Sequence, residues 1–498
     1  MNVMLICPAI KNNSPLDYAK TPPMGLISIA TYLSQQGHNV KVIDRTAKVT
    51  NIYKLIKEFE PDFVGISLVY VLTIDDARKC SQISQQYGAK VVWGGHLATD
   101  VPEIILNENF VDFVMMGEGE FAWGELLQAY ENGEDYSGIK GLAYKKNGQI
   151  LINECREFCN LADIPPMDFS FVNPKDYFEM YIFCGKMVRL YSSKGCPGRC
   201  AFCYNAHFHH SVHRKRPIEH VIREIRSLVA EYGADGIYLE DEIFRTNSKD
   251  ITEACEAFKN SGIDFVWGCK CRIGMLTPED FRIMYESGCR WIFFGVESAS
   301  EEMRRNMHKE IKLDDVKPDI ANCTKAGILP ITSFIIGLPD ETCEQLKETV
   351  EFIQSLKDSV LVIKYFTSLF GAEYNNKLLA EGKIKPVTKL DDLKEYPVFE
   401  SFSRANYSKI PLRDLEVVKA HLLWWAIRTK PAAIDDSGNS VMKKAIHELL
   451  GGLSAQALMG IVSKTYGIVH MVMMVGLNLF FFPKVKKKYG LKLNRKRT

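Results

Sequence analysis

Three cysteines crowd into one short stretch of this chain, "SSKGCPGRCAFCYN", at Cys196, Cys200 and Cys203. Thiolates at such spacing are soft metal donors, and two metals suit them. A [4Fe–4S] cluster held by three cysteines leaves one iron without a protein ligand. That open iron can chelate a small molecule and pass it an electron, whereas a fully ligated cluster only relays electrons. The competing site is a Cys3His zinc centre that recruits His207, four residues after Cys203. Gly195 and Gly198 let the loop fold tightly, and Pro197 removes one competing N–H. The loop follows an apolar strand rather than a hairpin, where a closed structural zinc would have no reason to sit.

The spacing C-x3-C-x2-C, with the aromatic Phe202 before the third cysteine, resembles the radical S-adenosylmethionine (SAM) enzymes. The resemblance implies that the amino and carboxylate groups of SAM complete the cluster. Reductive cleavage then yields a 5′-deoxyadenosyl radical, with the electron supplied by an external donor of the flavodoxin or ferredoxin type. Further stretches follow in the order that family shows. Glu240 and Asp241, in "GIYLEDEIF", offer acceptors to an ammonium group. Arg272, after "WGCKC", suits the carboxylate of SAM. Glu297 and Ser298, in "FFGVES", are similar to polar contacts near the ribose. "SFIIGLPDET" carries Ser333 and Gly337, where a missing side chain admits adenine close to the backbone. Cys269 and Cys271 share one face of a strand, lack companions to complete a second set, and read as small core residues.

These residues need a scaffold, and the chain of 498 residues is long enough for about three domains. With 46% apolar residues, 25% charged residues and a net charge of +1, it reads as a soluble globular protein with no nucleic-acid footprint. Its 14 cysteines are scattered, and "MNVMLICPAIKNN" lacks the pattern of a signal peptide. Reduced thiols in the cytoplasm follow. The expected class is α/β. From about 187 to 375, strand candidates "MVRLYSS", "GIYLED", "DFVWGCK", "WIFFGVES", "PITSFIIG" and "VLVIKYFT" alternate with helical segments. They predict a partial (β/α)6 barrel of TIM type, with its chemistry at the strands' C-terminal ends. Residues 376–498 read as mostly helical.

Residues 1–140 also alternate, with strands at "NVMLIC", "NVKVID", "PDFVGISL", "AKVVWGG" and "VDFVMMG". They predict a doubly wound, Rossmann-like parallel sheet, followed over 141–186 by a linker with a hairpin at Asn147-Gly148. Its ligand loops hold Ser67, Gly94, Gly95, His96, Gly117, Glu118 and Gly119, with no G-x-G-x-x-G of a dinucleotide fold. The set "TPPMGL", "GISL", "GGH" and "GEGE" resembles the cobalamin-binding domain found ahead of many radical SAM cores. No histidine stands between Pro8 and Lys20, so the expected cobalamin has no protein imidazole from that loop. His96 is read as a contact to the nucleotide tail or as a core residue.

Together these resemblances imply a cobalamin-dependent radical SAM enzyme acting on a small-molecule or lipid-like substrate, in the first place a C-methyltransferase. A cyclase or ring-rearranging enzyme of the same family is the near alternative, and a cobalamin or iron–sulfur sensor the distant one. The stretch 466–483, "YGIVHMVMMVGLNLFFFP", is almost wholly apolar, and the tail 484–498 holds eight basic residues and no acid. Two readings stay open for it: peripheral contact with anionic lipid on the inner face of the membrane, or a buried helix with a solvated tail.

Overall fold

The computed structural model describes residues 1–10, 21–69, 71–356, 358–396 and 405–429. Two seven-stranded sheets dominate them. In the first, β1 (Asn2–Cys7), β2 (Asn39–Asp44), β3 (Phe63–Ser67), β4 (Lys90–Gly94) and β5 (Phe113–Met115) run parallel in the order β2-β1-β3-β4-β5. β1 is apolar at nearly every position because both its faces are covered: Met4 and Ile6 enter one core, Val3 and Leu5 the other. The order reverses direction between β1 and β3. Ligands of such sheets sit at that switch, beyond the strands' C-terminal ends.

This sheet continues past residue 140. The hairpin β6 (Leu142–Lys146) and β7 (Gln149–Ile152) adds to it antiparallel, β6 pairing with β5. The hairpin is therefore part of the first sheet and not of a linker. Asn147 and Gly148 take φ of 51° and 79°, as a tight turn matching strand twist requires. The physical reason for the pairing is that β5 would otherwise be a bare edge.

The second sheet has the order β16-β15-β14-β13-β12-β9-β8. A short strand β8 (Glu179–Tyr181) lies antiparallel to β9 (Cys184–Leu190). Between the second sheet's strands in sequence, β10 (Ser193–Lys194) and β11 (Arg214–Lys215) form a separate two-residue antiparallel pair. Parallel to β9 follow β12 (Gly236–Leu239), β13 (Val266–Cys271), β14 (Cys289–Glu297), β15 (Leu329–Ile336) and β16 (Val360–Tyr365). These are the six strands expected from the apolar runs, curled into a partial barrel. Its outer face carries the main core, where Cys269 and Cys271 are buried with Trp267, Phe281 and Phe294. Inside, Tyr181, Tyr238 and Trp291 fill the barrel floor, and a Cβ on Gly268 would meet the Trp291 ring at 2.1 Å.

After β16 come the helices Glu373–Ala380 and Leu412–Thr429, the second packing its Leu415, Val418 and Leu422 into the main core. Leu390 and Leu393 instead join the core of the first sheet, with Arg78 bound to Asp391 at 2.8 Å. Among the described residues no helix is long and apolar enough to cross a membrane. The stretch 466–498 lies outside the described residues.

Candidate functional site

The cysteine loop is a closed cup at the end of β9. β10 and β11 pinch its neck. Asp241 anchors that neck from a fully buried position: it accepts from Ser192 N and Ser192 Oγ at 2.6 Å, and from Ser193 N at 3.1 Å. Glu242 accepts from Gly195 N at 3.0 Å and from Tyr204 Oη at 2.9 Å. Asn205 Nδ2 donates to Cys196 O at 2.7 Å, and Ala201 N to Met307 O at 2.9 Å. Gly195 has φ of 81°, and a Cβ there would lie 2.0 Å from Val212 O, so only glycine fits.

Within the cup, Gly198 faces two sulfurs: a Cβ would lie 3.4 Å from Cys196 Sγ and 3.8 Å from Cys200 Sγ. Burial pushes the Cys203 thiol up to about 12 and raises Cys196 and Cys200, the latter two against the pull of Lys309. These thiols keep their protons until a metal displaces them. His207 Nε2 is engaged by Asp100 Oδ1 at 2.7 Å, and its ring covers Gly371. Among the described residues no three His, Cys, Asp or Glu side chains gather as one ion would need. A cluster spreads its thiolates over separate irons, and the cup fits that demand.

The barrel rim divides the residues expected to hold SAM. Strand alternation sends Glu240 inward and Asp241 outward. Glu240 lies between Arg189 and Lys270, with Lys270 Nζ at 2.6 Å. Burial works against its charge, but those two cations hold its carboxyl below the usual range. Asp241 takes its hydrogen bonds from donors on the loop neck, with Arg245 Nη1 3.9 Å away, and does not face the mouth. The two neighbouring carboxylates thus have different partners in the structure. Ser298 is also turned away: fully buried, it meets Thr349 Oγ1 at 3.2 Å and accepts from Ser300 N at 3.2 Å. Glu297, Ser333 and Arg272 occupy positions of inward alternation on β14, β15 and the end of β13. Arg272 Nη2 donates to Glu310 O and lies 3.6 Å from the Glu310 carboxylate. Phe202 packs with Met303, Met307 and Leu338, under the loop where Gly337 takes φ of 75°.

At the rim of the first sheet, Ser67 pairs with Gly94 at adjoining strand ends. Gly95 has φ of 100°, and a Cβ there would lie 2.9 Å from Leu68 O. Gly117, φ 76°, has nothing within 4 Å of its missing Cβ. Three other residues expected to contact a ligand have protein partners of their own. Gly119 leaves room for Ile29, 3.1 Å from its missing Cβ. Glu118 grips Arg214 through both oxygens, at 2.7 and 2.9 Å, and Lys194 at 3.1 Å. Burial raises its carboxyl, but those cations win and hold it at about 2. The His96 ring stands edge-on to Tyr204 and Phe208, with centroids 5.0 and 4.1 Å away. Burial lowers it to about 4, so it is neutral. The sequence reading missed Lys194, Tyr204 and Arg214. Tyr204 stood next to Cys203, but nothing local marks Arg214, 96 residues from its partner Glu118.

Two family models match the chain: the B12 binding domain over residues 18–127 and the radical SAM superfamily over residues 190–353. An uncharacterized methyltransferase of Pyrococcus horikoshii, PH0819, is 31% identical over 84% of this chain and 94% of its own length. The chain belongs to the cobalamin-binding radical SAM family. Cobalamin, SAM and a [4Fe–4S] cluster are the cofactors of that family, and the two rims are where this member would hold them. A cytidylyl-2-hydroxyethylphosphonate methyltransferase of Streptomyces wedmorensis is 25% identical over 74% of this chain and 80% of its own. The radical SAM methyltransferase TsrM of Kitasatospora setae, solved with cobalamin and a [4Fe–4S] cluster bound, has a TM-score of 0.63 at 18% identity. It covers 78% of this chain and 79% of that one, a likeness of fold.

Proposed function

We propose that this chain is a methyltransferase acting on an unactivated carbon of a small-molecule or lipid-like substrate. The observation that carries the reading is the seam between the rims. Glu118, just beyond β5, binds Arg214 and Lys194, which belong to the paired neck of the cysteine loop. A methyl group held over one sheet has to reach a carbon activated over the other, and a fixed seam supports that. Two relatives named as methyltransferases, one spanning 84% of this chain, favour methyl transfer over other radical outcomes.

When bound, the cluster supplies one electron for cleavage of SAM, and cobalamin supplies the methyl group. Cys196, Cys200 and Cys203 would hold the cluster. Glu240, Arg272, Glu297, Ser333 and Gly337 would bind and orient SAM, and Ser67, Gly94, Gly95 and Gly117 would seat cobalamin with little side chain between it and the backbone. In this division, residues 1–152 form the cobalamin domain and 184–365 the radical core. The electron donor is of the flavodoxin or ferredoxin class. The stretch 466–498 combines an apolar run with a polybasic tail, the two signals that hold a protein on anionic lipid. The full chain is therefore expected to sediment with phosphatidylglycerol vesicles and not with phosphatidylcholine ones.

The test is anaerobic incubation with SAM, cobalamin, a reductant and cell extract. The expected result is 5′-deoxyadenosine together with a product heavier by one methyl group. A product lighter by two hydrogens would make the chain a cyclase, and absence of deoxyadenosine would defeat the enzymatic reading.

A further inference from the structure

Lysines are seldom buried without a reason. Lys309 follows the helix Glu301–Asn306, and its side chain is only 15% exposed. Its ammonium stands 3.4 Å from Glu297 Oε1, on a side chain 10% exposed. Both groups lie over Gly295: a Cβ there would fall 2.2 Å from Glu297 Oε1 and 3.0 Å from Lys309 Nζ. Glu297 reaches the spot through a left-handed φ of 70°, where the β14–β15 register slips between Gly295 and Glu297. Non-glycine residues avoid that conformation unless their surroundings impose it. A bulge, a strained backbone and a missing side chain thus combine to place one ammonium beside one carboxylate.

The pair stands behind the cysteine cup. Ala201 N donates to Met307 O at 2.9 Å, which docks the cup on the turn that carries Lys309. The charge of Lys309 acts on both Cys196 and Cys200, and Glu297 opposes it at Cys200. Arg272 acts on the same two thiols. Its side chain is 27% exposed and tied to Glu310, so solvent screens it more.

We propose that Lys309 sets the reduction potential of the cluster held by Cys196, Cys200 and Cys203, with Glu297 as its counterweight. The inference rests on the reading of that loop given above. One-electron reduction adds one negative charge to the cluster. A fixed cation in a site with little water stabilises the reduced form more than the oxidised one, and a fixed anion does the reverse. Lys309 therefore raises the potential and Glu297 lowers it.

The experiment uses the full chain, reconstituted anaerobically with iron and sulfide and titrated with dithionite through mediators, without SAM. Electron paramagnetic resonance reads the reduced fraction, and iron analysis reads cluster content. Lys309→Met is expected to cut the reduced-to-oxidised ratio about tenfold at the wild-type midpoint, ~59 mV for a one-electron couple. Glu297→Gln is expected to shift the midpoint the other way, and Lys309→Arg to leave it near wild type. Arg272→Met moves it less than Lys309→Met. Full clusters at the wild-type midpoint in both Lys309→Met and Glu297→Gln would overturn the inference. If Lys309→Met holds no cluster, Glu297→Gln decides alone: a shift to higher potential supports the inference, and no shift or a lower one overturns it. An unsubstituted chain that takes up no iron would instead defeat the reading of the loop itself.

Discussion

The cysteine loop and the rim of the first sheet are built on opposite plans. The loop is braced by side chains: Asp241 and Glu242 hold its neck, Asn205 holds the carbonyl of Cys196, and Phe202 wedges beneath it. The rim of the first sheet is mostly bare backbone at Ser67, Gly94, Gly95 and Gly117, and its larger side chains, His96 and Glu118, are spent on gripping the loop. Few atoms hold a cluster, so each sulfur has to be placed before the metal arrives. A large planar cofactor touches much backbone, so what matters is the absence of side chains. One rim presents ligands and the other presents space. Five substitutions separate these plans.

The largest effect belongs to the loop. Cys200→Ala is expected to abolish the cluster, reducing iron and sulfide from about four of each per chain to background. Cobalamin uptake by the same protein should remain, because the two rims share a seam and no ligand. Loss of both cofactors together would show that the rims fold as one unit and that the contrast is false.

Next comes the seam. Glu118→Gln leaves Arg214 and Lys194 facing a neutral amide and is expected to cost about 3–5 kcal/mol, read as a lower unfolding midpoint in denaturant. The sign with pH follows from the depressed carboxyl. Its ordinary value is 4.5 and its folded value about 2, so the contribution is complete above 4.5 and lost as pH falls towards 2. The wild-type protein should therefore lose stability across that window faster than Glu118→Gln does.

The third test, a pair of substitutions, divides neighbours. Glu240→Gln should leave the cluster intact and weaken SAM binding roughly ten- to a hundredfold, as loss of a charge-assisted contact of about 1.5–3 kcal/mol implies. Asp241→Asn should instead lower cluster content and leave the affinity of the loaded fraction unchanged. Calorimetric titration of SAM into both variants, normalised to iron, checks this. Equal loss of affinity would restore the two carboxylates to one shared role.

That pair also shows how far the sequence could be read. The strands were legible because parallel strands covered on both faces are continuous apolar runs, and the cysteine loop because its ligand spacing is local. Glu240 and Asp241 were not separable, because one step along a strand reverses a side chain's direction and the sequence alone does not give the register. Ser298, one residue beyond Glu297, has its partners Thr349 and Ser300 on the other side for the same reason. The hairpin at Asn147-Gly148 was legible as a turn, but its partner strand β5 was not. Glu118 and His96 stood where a ligand loop should be. Their protein partners, Arg214, Tyr204 and Phe208, lie about a hundred residues further on in the second sheet's half of the molecule, and no local pattern announces a contact of that range.

The smallest effect should come from His96. Its ring is clasped by Tyr204 and Phe208, and its Nδ1 has no hydrogen-bond partner among the described residues. A ring held this way is a packing element, so His96→Phe keeps the shape and is expected to change stability at neutral pH by less than about 1 kcal/mol. Cobalamin loaded on the wild type and reduced to Co(II) should show no nitrogen hyperfine splitting from a protein imidazole, and the variant should give the same spectrum. The two proteins should differ only in acid. The folded histidine titrates at about 4 against an ordinary 6.5, so the unfolded chain binds its proton first. Stability then falls with pH from about 6.5 towards 4 in the wild type, and His96→Phe should lose that slope. Nitrogen splitting that vanishes in the variant would make His96 a cobalt ligand. It would also give the first rim a placed donor, and the contrast between the two plans would no longer hold.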